Sequence, residues 1–182
     1  MNERYLEGIS HRWRIQYTDL FGPEMELGRW LRSKNTVMKI NDVIFVHGGF
    51  SPSLMELGLS MEEINRSVQQ SMDISDAELR QRDTADLLFG SWGPFWYRGY
   101  HYALADRYLA ATSAEIDATL DFYEGAQIVV GHTQVDSISL LHEGRIVAAD
   151  VRVDKLGSLQ AALWRDDHLY LVTGSGELRL LK

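Results

Sequence analysis

Two short strands that end in the same way limit what this chain can be. Residues 43–49, VIFVHGG, carry an apolar run straight into His47 and two glycines, and residues 127–132, QIVVGH, carry another into Gly131 and His132. A strand that only fills a core does not need a polar ring at its mouth. Imidazole binds a divalent cation through one ring nitrogen while a carbonyl or carboxylate orients the other, and glycine neighbours let ligands and backbone approach closely. A single histidine at a strand end is most simply a hydrogen-bonded structural residue. Two in the same setting weigh a shared site and a structural explanation equally.

Composition narrows the choice of ligands. The chain has 182 residues, 45% of them apolar, which is enough for one domain with a sizeable core and too little for two, so 1–182 is read as a single domain. It contains no cysteine, so any metal must be held by His, Asp, Asn or Glu. The net charge is −8 and the basic residues are scattered among acids, which excludes a nucleic-acid partner. The start MNERYLEG has no apolar run and no stretch approaches a membrane span, so the reading is a cytoplasmic chain with no membrane association.

The spacing of Met25, Leu27, Trp30 and Leu31 predicts a helix, and TVMKINDVIFV predicts a hairpin turning at Asn41-Asp42. Ser60 with Glu63, Ser75 with Glu78, and Thr112 with Glu115 carry the capping-box signature, predicting three more helices. Residues 87–102, LLFGSWGPFWYRGYHY, read as a structured aromatic loop. From Gln127 onward, short alternating segments broken at Glu143-Gly144 and Asp166-Asp167 predict an antiparallel meander. Layered packing of helices on sheet follows.

GRWLRSKNTVMKINDVIFVHGGFSP, GPFWYRGY and IVVGHTQVDSI, in that order, resemble the second half of the calcineurin-like metallophosphoesterases. Within them the motifs are most similar to the phosphoprotein phosphatase branch and its bacterial Shewanella-like type. The resemblance implies an α/β (α+β) fold, the C-terminal part of a calcineurin-like β-sandwich flanked by helices. It implies a centre of two divalent ions, manganese or an iron-zinc pair, that activates a hydroxide for in-line attack on phosphorus. His47 and His132 would ligate the same ion. Arg98 falls where the family has an arginine that grips the substrate phosphate, a catalytic and substrate-binding role suited to its planar fork. Gln134 stands where the wider superfamily has another histidine and is read as a non-ligand.

The resemblance is incomplete. The family's GDxHG, GDxxDRG and GNHE motifs are absent, and no Gly-Asp pair occurs. The chain therefore reads as the C-terminal part of a longer phosphatase, inert alone, with a degenerate remnant or non-catalytic interaction module as the other readings. The implied activity is phosphomonoester hydrolysis of the serine/threonine protein phosphatase kind, with bis(5'-nucleosyl)-tetraphosphate hydrolysis the alternative. The implied partners are a phosphorylated substrate and further copies of the chain, associating through exposed sheet edges.

Other residues divide less sharply. Trp92, Phe95, Trp96, Tyr97 and Tyr100 either frame a substrate groove or pack the loop onto the sheet, with Tyr97 the candidate for substrate contact. Asp136 is a candidate to orient His132. Asp150 and Asp154 read as turn aspartates, Arg29 and Arg32 as a solvated helix face, and His11, His101, His142 and His168 receive no role.

Overall fold

Strands of three or four residues are too short to stand alone, and the central ones here are apolar on both faces, so they fold only between two covering layers. A computed structural model of the protein describes residues 16–82, 84–153 and 159–182; His11 and Asp154 lie outside them. β1 (Val37–Ile40) and β2 (Val43–Val46) form the expected hairpin, turning through Asn41 in the left-handed region at φ 55°. β3 (Gln127–Val130), β4 (Ser139–Leu141) and β5 (Ile146–Ala148) complete a five-stranded sheet of order β1-β2-β3-β5-β4.

The meander expected from Gln127 onward does not begin there. β3 runs parallel to both β2 and β5, and only β4 is antiparallel to its neighbour. Ile128 and Val130 are buried and every connection from β2 to β3 passes through helices, which is the setting in which parallel pairing forms. The meander is confined to a second sheet, β6 (Gln160–Arg165), β7 (His168–Thr173) and β8 (Leu178–Leu180). Its first turn is Asp166-Asp167, both with positive φ, as a two-residue hairpin turn requires.

The helices are α1 (Glu26–Arg32), α2 (Pro52–Met55), α3 (Met61–Ser71), α4 (Asp76–Leu79), α5 (Ala85–Phe89) and α6 (Ser113–Phe122). The capping boxes at Ser60-Glu63 and Thr112-Glu115 are both formed. Ser75 and Glu78 also bond reciprocally, but the helix behind them lasts one turn. α5 occupies a stretch that the sequence pattern left as loop. Arg32 is less solvated than its spacing implied, since its guanidinium bonds Asp73 and the Phe21 carbonyl.

Two clusters hold the layers together. Ile44, Val46, Ile128, Val130 and Ile146 on one face of the large sheet meet Ile64, Ile116 and Leu120 from the helices. Val147 and Ile138 on the other side meet Leu169 and Leu171 of the second sheet. Each such side chain contributes about 1.5–3 kcal/mol through removal from water. The layers are therefore helices, mixed sheet and antiparallel sheet. Among the described residues no helix is long and apolar enough to cross a membrane.

Candidate functional site

Because β2 and β3 are adjacent and parallel, with Val46 opposite Val130, their chain exits lie side by side. Gly131 N–H donates to the His47 carbonyl at 2.8 Å, carrying the ladder one step past the strands. The two imidazoles then stand 5.2 Å apart between ring centres, tilted by 55°. Residues distant in sequence are thus brought together by the parallel register alone.

The glycines beside His47 serve the neighbouring loop. A Cβ on Gly48 would lie 2.9–3.0 Å from backbone atoms of Phe95, Trp96 and Tyr97, and Gly48 N–H donates to the Pro94 carbonyl at 2.6 Å. Gly49 has φ +153°, and a Cβ there would meet the Tyr100 ring at 2.6 Å. Residues 94–100 consequently lie directly on the strand end, which places Trp96 and Arg98 beside the histidines.

His132 is held in the left-handed region at φ 60°. Its Nε2 is buried and has no hydrogen-bond partner. Burial lowers its proton affinity first, the positive charge of Arg98 and the neighbouring His47 add to that, and a backbone hydrogen bond with Trp96 and the charge of Asp150 work in the opposite sense. The ring is therefore neutral near pH 7 and presents a lone pair. Asp150, rather than Asp136, is the carboxylate whose charge reaches it. Asp136 is exposed.

Arg98 is half-buried. One terminal nitrogen donates to the His132 carbonyl at 3.0 Å and to Thr133 Oγ1 at 3.1 Å, while its backbone N–H donates to the Tyr108 hydroxyl at 3.0 Å. No carboxylate among the described residues pairs with it, so a net positive charge stands next to the two imidazoles. Thr133 and Tyr108 were not singled out by sequence. Thr133 follows directly after the GH pair, so its proximity was readable, but nothing local marked its partner.

Tyr97 is a correction. It is 1% exposed, packed against Tyr100 and Tyr108, and its phenol is driven toward the neutral form by burial, so it belongs to the core and offers no face to a groove at the histidines. Alternation along the loop puts its neighbour outside. Trp96 is 55% exposed and its indole meets the His132 ring edge-on at 5.1 Å. Gln134 accepts from Arg152 and faces away from any ligand role.

Two imidazoles bound to one ion, each nitrogen about 2.0–2.1 Å from it, have ring centres about 5 Å apart at neighbouring tetrahedral positions. The observed spacing and the orphaned Nε2 of His132 fit two such donors. They do not make a closed site. Among the described residues no group of three or more His, Cys, Asp or Glu is placed to hold a cation.

Solved structures extend the comparison. The chain matches the cold-active protein-tyrosine phosphatase of a psychrophilic Shewanella species with 32% identity and a TM-score of 0.88, over 100% of its own length and 53% of that chain. A point mutant described as a cold-active protein tyrosine phosphatase gives the same values, and a further structure under that description differs only in a coverage of 52%. No protein-family profile matches the chain, and no curated protein matches it significantly. The chain is a structural relative of these phosphatases along its whole length and spans about half of theirs, as the three sequence motifs had implied.

Proposed function

We propose that these residues form part of the active centre of a metal-dependent phosphoesterase, contributing two ligands and a phosphate-holding arginine to a site that further donors complete. The observation that carries the reading is the His47–His132 pair, 5.2 Å apart, with a buried Nε2 on His132 that has no partner. In this reading His47 and His132 hold one divalent ion, manganese, iron or zinc. When bound, such ions supply an activated hydroxide and neutralise charge on the phosphoryl oxygens.

The chain's own residues do the rest. The Trp96 backbone and the left-handed turn at His132 aim the imidazole before any ligand arrives. Arg98, with one nitrogen committed to the His132 carbonyl and Thr133, keeps its remaining donors for two phosphate oxygens, the fork geometry that a lysine lacks. The substrate is a phosphomonoester on protein. The sequence resemblance favours phosphoserine and phosphothreonine, while the matched structures are described as tyrosine phosphatases. The exposed indole at the histidine pair supports an aryl ester.

Calorimetric titration with manganese chloride tests the reading. The 182-residue chain should show weak binding that His132→Ala and His47→Ala each remove, with circular dichroism unchanged. Hydrolysis of p-nitrophenyl phosphate by this chain alone should stay far below the 1–10³ per second of ordinary enzymes. Metal binding that survives both substitutions would overturn the assignment. Rapid turnover abolished by His132→Ala would show a complete ligand set within these residues.

A further inference from the structure

The turn between β4 and β5 holds three consecutive residues in the left-handed region, His142 at φ 50°, Glu143 at φ 57° and Gly144 at φ 83°. Only glycine enters that region freely. A side chain there is strained, and the conformation persists where its surroundings over-determine it. Here they do. The His142 carbonyl accepts from the Arg145 amide and from the Arg145 guanidinium, both at 3.2 Å, and the Gly144 carbonyl accepts from the Gln127 side-chain amide at 2.8 Å. Arg145 is paired in turn with Asp117 of α6.

The strained turn brings the half-buried imidazole of His142 onto the aromatic loop. Its Nε2 lies 2.8 Å from the carbonyl oxygen of Tyr100, 42 residues away in sequence. A carbonyl oxygen only accepts, so Nε2 carries the proton and donates.

That bond reaches Arg98 through one rigid unit. The Tyr100 carbonyl and the His101 amide belong to the same planar peptide group. His142 holds its carbonyl side, and its amide side donates to the Arg98 carbonyl at 2.9 Å. Rotation of this peptide group would reverse both directions at once and break the bond to Arg98. The other anchors of the loop do not oppose that rotation. Tyr102 N–H donates to the Arg98 carbonyl at 3.2 Å, the Arg98 amide donates to the Tyr108 hydroxyl at 3.0 Å, and the Tyr100 ring packs on Gly49. None of these three holds the Tyr100–His101 peptide group.

We propose that His142 is a positioning residue for Arg98. By donating to the Tyr100 carbonyl it fixes the peptide plane to which the Arg98 backbone is bonded, and so the direction from which the guanidinium reaches the His132 carbonyl and Thr133. A turn that leaves the last strand of the sheet thereby aims the arginine beside the two imidazoles. The effect on phosphate rests on the anion-holding role proposed for Arg98, whereas the clamp itself does not.

Two substitutions in the 182-residue chain separate the donated proton from the shape of the turn. Asparagine tolerates the left-handed region, but its amide is too short to reach the Tyr100 carbonyl, whereas the glutamine amide nitrogen stands near the position of Nε2. His142→Asn should shift the Arg98 Nε–H resonance and weaken inorganic phosphate, titrated by NMR without added metal, about threefold to tenfold. His142→Gln should restore both the resonance and the affinity. Parent-like behaviour of His142→Asn overturns the proposal. Equal losses in the two variants also overturn it, because packing of the ring and not its donated proton would then be what matters. Arg98→Ala reports on the other premise: if it binds phosphate as the parent does, the phosphate role of Arg98 fails, and the Arg98 resonance in the two His142 variants still decides the clamp.

Discussion

The amide of Gly131 bonds to the carbonyl of His47, and this one contact, 2.8 Å long, continues the β2–β3 pairing beyond the strands and turns both histidine rings toward the same place. The site is thus a product of parallel register. Its precision depends on whatever holds the two strand exits and the loop above them.

Gly48 should be the least replaceable part of that support. A methyl group there lies 2.9–3.0 Å from three loop backbone atoms, which cannot move aside as a flexible side chain can. Gly48→Ala is expected to cost about 1–3 kcal/mol, as overpacking does. Gly58, at φ +60° with nothing within 4 Å, is the control, and Gly58→Ala should cost about 1–2 kcal/mol from backbone strain alone. Urea midpoints measure both, and only Gly48→Ala should also disturb the ring resonances of His47 and His132.

Arg98 is positioned through Thr133. Thr133→Val keeps the shape and removes the acceptor at 3.1 Å, so it should lower stability by about 1 kcal/mol and loosen the guanidinium. Arg98→Lys should weaken inorganic phosphate binding about tenfold, because an ammonium cannot make two parallel bonds. Phosphate titration followed by NMR reads both variants. Equal affinity in Arg98→Lys would make the arginine a structural residue.

Stability should fall in mild acid. Burial is the main cause lowering the proton affinity of His101, aided by Arg98 and His142, and its Nε2 is buried without a partner. The folded ring therefore resists protonation at a pH where the unfolded ring, near its ordinary value of about 6.5, accepts a proton. The unfolded state gains protons as pH drops, so stability is present above about 6.5 and is lost below it. Urea midpoints at pH 7.5 and 5 should differ in that direction, and His101→Gln should reduce the difference.

The legible parts of this molecule are those whose cause is local. Ser60 with Glu63, and Thr112 with Glu115, close capping boxes within four residues and were readable as such. The turn residues Asn41 and Asp166-Asp167 announced their hairpins. The parallel placement of β3 was not readable from its own residues, because an apolar four-residue run suits either orientation and the partner is decided by the helices between. The convergence of His47 and His132 was inferable from their shared context, whereas the choice among the loop aromatics was not: Tyr97, the candidate for substrate contact, is buried and Trp96 is exposed. Which of two adjacent aromatics faces inward depends on the phase of an irregular loop, and that phase is set by the Gly48 and Gly49 contacts with Tyr97 and Tyr100.

Trp96 is the last consequence of that phase. An indole more than half exposed, standing edge-on to His132, forms a wall beside the position at which Arg98 would hold a phosphate. A flat leaving group could lie against it, and a short alkyl chain could not. Phenyl phosphate should therefore shift the Trp96 indole resonance in the presence of manganese, whereas glycerol phosphate should leave it in place. An aromatic pair contributes about 0.5–1.5 kcal/mol beyond area burial, so Trp96→Ala should weaken phenyl phosphate about threefold to tenfold. Inorganic phosphate, which has no ring to stack, should bind the variant as it binds the parent protein. Equal losses for all three ligands would show that the indole only braces His132, and no preference for aryl esters would then follow from this loop.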